Sequence, residues 1–232
     1  MYIKKKIKNN TLRIDIVSII PEIFHSPFSN SIIKRAIDKG LIDIHVHDLR
    51  KYGLGKRKNV DDYPYGGGAG MVIRIEPVYQ CFSKLLSERN YDEKIFMTPD
   101  GKLFSQKYAK NLINKKNIII LCGRYKGIDQ RIRDHLISEE ISIGNYILSG
   151  GELAAAVIVE SIVRLLPGVI KNKDSILTDS FQRESLIAPP LYTRPLVYKG
   201  WSVPKILLSG HHKKIKDWLD QKSMPFKRKL DS

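Results

Sequence analysis

Between Ile141 and Phe181 the chain reads Ile-Ser-Ile-Gly-Asn-Tyr-Ile-Leu-Ser-Gly-Gly-Glu, then an apolar segment ending at Arg164, then a polar stretch reaching Thr-Asp-Ser-Phe. A glycine-punctuated turn at the end of a strand lets backbone groups wrap a flat ligand. The lone arginine and lone aspartate that follow, Arg164 and Asp179, stand where nothing requires burial. A binding loop followed by a catalytic segment has this layout. The common phosphate cradles are missing: Gly66-Gly67-Gly68-Ala69-Gly70 falls short of the dinucleotide fingerprint because Met71 holds its last place. Neither Gly55-Lys56 nor Gly101-Lys102 is followed by Ser or Thr, so the P-loop pattern is absent too.

Residues of this kind need a scaffold, and the hydrophobic rhythm supplies one. Arg13 to Ile20 reads as a strand covered on both faces, Phe28 to Asp38 as a helix with Gly40 at its C-terminal cap, and Leu41 to Leu49 as an alternating strand. A polar, Gly-rich connection runs from Arg50 to Gly70. Strands are then expected at Met71 to Ile75, at Lys94 to Thr98 (closed by a Pro99-Asp100-Gly101 turn), at Asn117 to Cys122 and at Glu140 to Ile143. Helices alternate with them at Pro77 to Leu86, at Ser105 to Lys116 with Ser105 as N-cap, at Ile128 to Leu136 and at Glu152 to Leu166. Strand and helix in alternation imply a parallel α/β sheet with helices on its faces. Thr98-Pro99, Gly123-Arg124-Tyr125 and Gly144 through Gly151 then fall at the C-terminal ends of strands, the edge where open parallel sheets bind ligands.

Composition changes after Pro167-Gly168. Residues 171 to 183 are polar with no sustained period, and a Pro-rich text ending in a helix-like tail at His211 to Gln221 reads as a second, small, basic domain. The 40 Lys and Arg against 24 Asp and Glu give a formal charge of +16, a field that attracts polyanions, nucleic acid foremost. A lysine-rich proteome explains the same excess without any partner. Two cysteines, Cys81 and Cys122, make no disulfide framework and fit a reduced, cytoplasmic setting. No run approaches the roughly 20 apolar residues of a membrane helix, and the basic N-terminus has no signal-peptide core. It reads as a frayed extension ahead of the first strand.

Plainer readings exist for individual residues. Ser149 and Glu152 have capping-box spacing, which would make Glu152 structural. Glu160 and Arg164 are placed for a helical surface ion pair, and Asp179 for a turn. Adjacent His211 and His212 diverge on a helix, so no metal site is expected there.

Taken together, the motifs resemble a known family. They are Asp62-x-Pro-Tyr-Gly-Gly-Gly-Ala-Gly-Met71, Cys122-Gly-Arg-Tyr-x-Gly-Ile-Asp129, Ser142-Ile-Gly-x-Tyr-x-Leu-Ser-Gly-Gly-Glu152, Arg164-x-x-Pro-Gly-Val169 and Asp179-Ser-Phe181. Tyr192-Thr-Arg-Pro195 and Ser209-Gly-His-His212 complete the set. In order and content they are similar to the bacterial tRNA (guanine-N1)-methyltransferases of the SPOUT class, the TrmD family, from about Arg13 to Leu219. The resemblance implies an α/β fold whose parallel sheet carries a deep trefoil knot, plus a small, mostly helical C-terminal domain. It implies a methyltransferase domain over residues 1–170, a linker at 171–185 and a basic tRNA-binding domain at 186–232. S-adenosyl-L-methionine would lie bent in the knot against Met97, Thr98, Gly123, Tyr125, Ile143, Gly144, Asn145, Tyr146, Ile147, Leu148, Gly150 and Gly151.

Further implications are an obligate homodimer with its site across the interface, Asp179 as the base for guanine N1, and Arg164 stabilising charge on O6. The substrate would be guanosine 37, beside the anticodon. The Lys51 to Lys58 loop and the small domain would grip RNA phosphates. Lys126 departs from the family, which usually has Glu there, and leaves a role for magnesium open. Asn145 (commonly Asp) and Tyr63 (often Arg) are milder departures. A knotted methyltransferase for another RNA nucleoside and a non-catalytic RNA-binding protein stand as alternatives. A dinucleotide oxidoreductase is disfavoured by the missing fingerprint.

Overall fold

The computed structural model describes residues 11–171, 177–182 and 186–225; the expected N-terminal extension and part of the expected linker lie outside them. The chain divides into two compact units, Met1–Lys171 and Asn172–Ser232. In the first, the elements run β1 (Leu12–Ser18), α1 (His25–Phe28), α2 (Ser31–Asp38), β2 (Ile42–Asp48), β3 (Asp61–Asp62), β4 (Val72–Ile73) and α3 (Ile75–Glu88). They continue with β5 (Glu93–Leu103), α4 (Gln106–Leu112), β6 (Asn117–Cys122), α5 (Gln130–Leu136), β7 (Glu139–Ser142) and α6 (Glu152–Leu165). Five strands form one parallel sheet in the order β2-β1-β6-β5-β7.

Side-chain alternation makes the sheet two-faced. Ile14, Ile16, Ile118, Ile120 and Cys122 pack on one side with α2, α4 and α6, while Val17, Ile119 and Leu121 pack on the other with α3 and α5. Ile118 through Cys122 are fully buried, which is why β6 reads as an unbroken apolar run. Ser105 caps α4 by accepting from the Tyr108 amide, as its sequence position predicts. Gly40, at φ +63°, ends α2, its amide bonding Ile37 O and the Leu41 amide bonding Ala36 O.

Three expectations are corrected. The strand expected at Met71 to Ile75 does not join the sheet: only Val72–Ile73 is extended, paired antiparallel with Asp61–Asp62. The Ile73 amide is taken by Gly127 O and the Arg74 amide by Val60 O, so these donors are spent outside the sheet. Pro99-Asp100-Gly101 does not end its strand. β5 pairs with β7 up to Met97, makes an excursion over Thr98 to Gly101, and resumes pairing at Lys102. The helix expected over Phe28 to Asp38 is divided between α1 and α2.

β1 also buries a carboxylate. Asp15 is fully buried and accepts hydrogen bonds from Arg13 Nε (2.7 Å), Arg13 Nη2 (2.8 Å), His47 Nε2 (2.7 Å) and Tyr91 Oη (2.8 Å). Burial pushes its pKa up, but the bonds from His47, Arg13 and Tyr91 win and hold it well below the usual carboxylate range. The folded pKa lies below the unfolded one. The stabilisation is therefore complete above the unfolded value, near ~4, and is lost as pH falls toward the folded value. Thermal melts from pH 6 to pH 3 should show wild-type stability falling in the acid range and Asp15→Asn, less stable at neutral pH, falling less. Parallel acid limbs would remove Asp15 from this role.

The described residues of the second unit include an α-helix, His212–Lys222, a short turn of 3-10 helix at Lys205–Leu208, and two antiparallel strand pairs. Leu186–Ile187 pairs with Met224–Pro225, and Val197–Tyr198 with Trp201–Ser202. Rings stand close at Tyr192–Trp218 (centroids 6.5 Å) and Tyr198–Trp201 (6.2 Å), with Lys222 over Trp218 and Lys199 over Tyr198.

Candidate functional site

A cavity of about 780 Å³ opens at the β5 excursion and the C-terminal ends of β6 and β7. Its walls come from the β5 excursion, the turn after β6 and the loop between β7 and α6, the three segments that sequence placed at this edge. Met97, Thr98, Gly123, Tyr125, Ile143, Gly144, Tyr146, Ile147, Leu148, Gly150 and Gly151 all line it. Asn145, in the same loop, is not among the lining residues. Asp100, Arg124, Lys126 and Arg133 also line the cavity, although none was singled out as a contact from sequence.

Two of these loops are stitched together. The Gly151 amide donates to Gly123 O at 2.8 Å, and Arg124 bridges to Gly150. A Cβ on Gly151 would sit 2.9 Å from Met97 Cβ and 3.1 Å from Cys122 Cα, contacts with little room to give. Glycine is required for this approach rather than for a turn angle. Ser142 Oγ binds Gly144 O at 3.0 Å and accepts from the Gly144 amide at 3.2 Å, fixing the start of the β7–α6 loop. Tyr125 is held at φ +61°, a left-handed conformation uncommon outside glycine.

The capping-box reading of Ser149 and Glu152 is overturned. Gly151 is the N-cap of α6 and no side chain caps it. Glu152 is 1% exposed and turns inward, where Ser18 Oγ donates at 2.8 Å and Arg124 Nε lies 3.2 Å and 3.3 Å from its two oxygens. These partners arrive from β1 and from the turn after β6, 134 and 28 residues away, so local spacing gave no sign of them. The carboxylate also sits in the first helical turn, where the helix dipole favours it.

The β5 excursion is pinned from the other side. Arg133 Nη2 donates to Asp100 at 2.7 Å and Arg133 Nε to Glu140 at 2.8 Å. Hydrogen bonds from Thr98 and Arg133 hold the Asp100 carboxyl below its ordinary pKa. Both cysteines are core residues without nucleophilic use: burial pushes Cys122 well up and Cys81 up to about 12. Among the described residues no three His, Cys, Asp or Glu side chains form a group able to hold a metal ion. No described helix is long and apolar enough to cross a membrane.

Of the two residues expected to act on the substrate, Arg164 is not among those that line the cavity. Glu152 begins α6 at the cavity wall, and Arg164 occupies the last turn of that helix, on the order of 18 Å along the axis. Asp179 belongs to the second unit, where Asp179 O accepts from the Gln182 amide at 3.4 Å and Phe181 is held at φ +64°. That is a turn with a side chain at the position usually left to glycine. Ile147, Leu153 and Val157 are 80%, 57% and 47% exposed, an apolar surface on the β7–α6 loop and the face of α6.

Residues 12–230 match the family model described as tRNA (Guanine-1)-methyltransferase TrmD. A tRNA (guanine-N(1)-)-methyltransferase of Christiangramia forsetii is 57% identical over 94% of this chain and 96% of its own length. One from Bacteroides fragilis is 58% identical over 94% of this chain and 97% of its own. The crystal structure of a tRNA (m1G37) methyltransferase from Aquifex aeolicus superimposes with a TM-score of 0.75 at 37% identity, covering 90% of this chain and 88% of that one.

Proposed function

The chain belongs to the tRNA (guanine-1)-methyltransferase family and methylates N1 of guanosine 37 in tRNA, and we propose that it does so with a donor held in the β5–β6–β7 cavity and a proton acceptor, Asp179, brought to it across a homodimer. The observation that carries this reading is the convergence of three separate loops on one cavity. It includes eleven of the twelve expected contacts, all but Asn145. Methyltransferase membership implies S-adenosyl-L-methionine, and the cavity fits it: about 780 Å³ lies within the range of small-molecule sites. The lining combines backbone-rich glycine turns with the apolar side chains of Met97, Ile143 and Leu148. When bound, that donor supplies an electrophilic methyl group on a sulfonium.

The remaining chemistry belongs to the protein. Guanine N1 carries a proton and attacks only as that proton leaves, so a carboxylate within hydrogen-bond reach is needed, and Asp179 has that role. Charge then gathers on O6, where the guanidinium of Arg164 stabilises it as it develops. Much of the acceleration is positioning, N1 being held in line with the methyl group. The proposed fold passes the chain through a loop as a trefoil knot, which would hold the donor bent.

Two features support the homodimer. Arg164 lies in the last turn of α6, on the order of 18 Å along the axis from Glu152 at the cavity wall, which suits service to the cavity of another copy. Exposed Leu153 and Val157, one turn apart on a mostly buried helix, offer an apolar stripe for a second copy to cover. For RNA, the second unit offers exposed Tyr198, with Lys199 over its ring, and exposed Trp201, suited to unstacked bases. In the first unit, Lys56, Arg57 and Lys58 stand exposed on a turn closed by Leu54 and Asn59. The location that fits a tRNA substrate and reduced cysteines is the cytoplasm. Primer extension on tRNA transcripts after treatment with enzyme and S-adenosyl-L-methionine should stop at guanosine 37. A stop at another nucleoside, with none at 37, would transfer the chain to the alternative of a different RNA target.

A further inference from the structure

Four charged side chains line the cavity: Asp100, Arg124, Lys126 and Arg133. Three are neutralised within the chain, Arg124 by Glu152 and Arg133 by Asp100 and Glu140. Among the described residues, Lys126 alone of these makes no ion pair.

Its backbone is fixed. The Lys126 amide donates to Met71 O at 3.0 Å, the Gly127 amide to Arg124 O at 3.1 Å, and Gly127 O accepts from Ile73 at 3.0 Å. The side-chain stem has a backbone surface beneath it. It lies across Gly70, where an added Cβ would stand 2.8 Å from Lys126 Cγ and 3.4 Å from Cε. The stem is packed on backbone while the ammonium stays solvated, which lowers the entropy lost when that ammonium takes a ligand.

We propose that Lys126 is a substrate-positioning residue whose ammonium holds an anionic oxygen of a bound substrate at the cavity. The inference rests on the function proposed above, which supplies two such oxygens: the carboxylate of the methyl donor and a backbone phosphate of the tRNA. Either would complete the charge balance that the other lining residues have already reached. Holding the donor carboxylate would fix one end of a bent molecule whose methyl must meet N1. Holding a phosphate would fix the register of the anticodon loop.

The test compares wild type, Lys126→Met and Lys126→Arg by titration calorimetry with S-adenosylhomocysteine and with 5′-methylthioadenosine, which lacks the amino-acid carboxylate. tRNA affinity is measured across a salt series in parallel. If the carboxylate is the ligand, Lys126→Met should bind S-adenosylhomocysteine about tenfold more weakly and 5′-methylthioadenosine unchanged, with Arg restoring affinity. If a phosphate is the ligand, S-adenosylhomocysteine binding stays level, tRNA binding weakens, and the salt slope falls by about one. Either pattern supports the proposal. Wild-type-like binding of all three ligands by Lys126→Met overturns it, as does equal weakening of both nucleosides with an unchanged salt slope. Failure of the wild-type enzyme itself to bind S-adenosylhomocysteine would instead strike at the donor reading.

Discussion

Replacing Asp179 by alanine should lower the single-turnover rate of methyl transfer by about 10³-fold while tRNA affinity stays within about twofold of wild type. The expectation follows from the chemistry of guanine: N1 is no nucleophile while protonated, and only a positioned acceptor removes that proton on the catalytic timescale. Residual turnover in the variant should rise with pH as solvent deprotonates more of the base. Rapid-quench assays with labelled donor, alongside filter binding of tRNA, separate the two quantities. Unchanged turnover would remove Asp179 from the mechanism. Loss of turnover together with loss of tRNA binding would make it a binding residue instead.

The second large effect is expected at Glu152. Truncation to alanine leaves Arg124 without its carboxylate and Ser18 Oγ without its acceptor, in a place where Glu152 itself is 1% exposed. Removing one partner of a buried pair costs about 3 kcal/mol, which corresponds to a melting temperature lower by roughly 6–12 °C for a chain of this size. The cavity wall should suffer too, because Arg124 lies against Gly150: a Cβ there would sit 2.8 Å from Arg124 Cγ. Weakened S-adenosylhomocysteine binding should accompany the lost stability. Glu152→Gln keeps an acceptor for Ser18 but loses the charge, and should fall between wild type and alanine in a thermal melt. An alanine variant that melts within a degree or two of wild type would show that the pair contributes little.

The sheet was legible where burial and periodicity agree. β6, at Asn117–Cys122, matches its apolar run because every residue from Ile118 to Cys122 is sealed on both faces. Ser105 and Gly40 were legible because caps act within a few residues. Long-range pairing was not. Pro99-Asp100-Gly101 carries a strong turn signal, but whether β5 ends or resumes after it depends on β7, some forty residues on.

Glu152 shows the same limit. Its three-residue spacing from Ser149 invites a cap, and only folding brings Ser18 and Arg124 close enough to capture it. The loops that line the cavity were more legible, since loops at one sheet edge must converge once the strands are parallel. Arg164 was legible as a chemical type. Its separation from its own cavity became visible only with α6 laid out in space.

That separation has a bearing on heredity as well as on mechanism. On the proposed chemistry, α6 acts as a spacer that keeps two halves of one reaction centre from ever closing within a single polypeptide. On that proposal the gene would encode half of a tool, and a change at the Arg164 end of the helix would be felt in the neighbouring copy rather than in the chain that carries it.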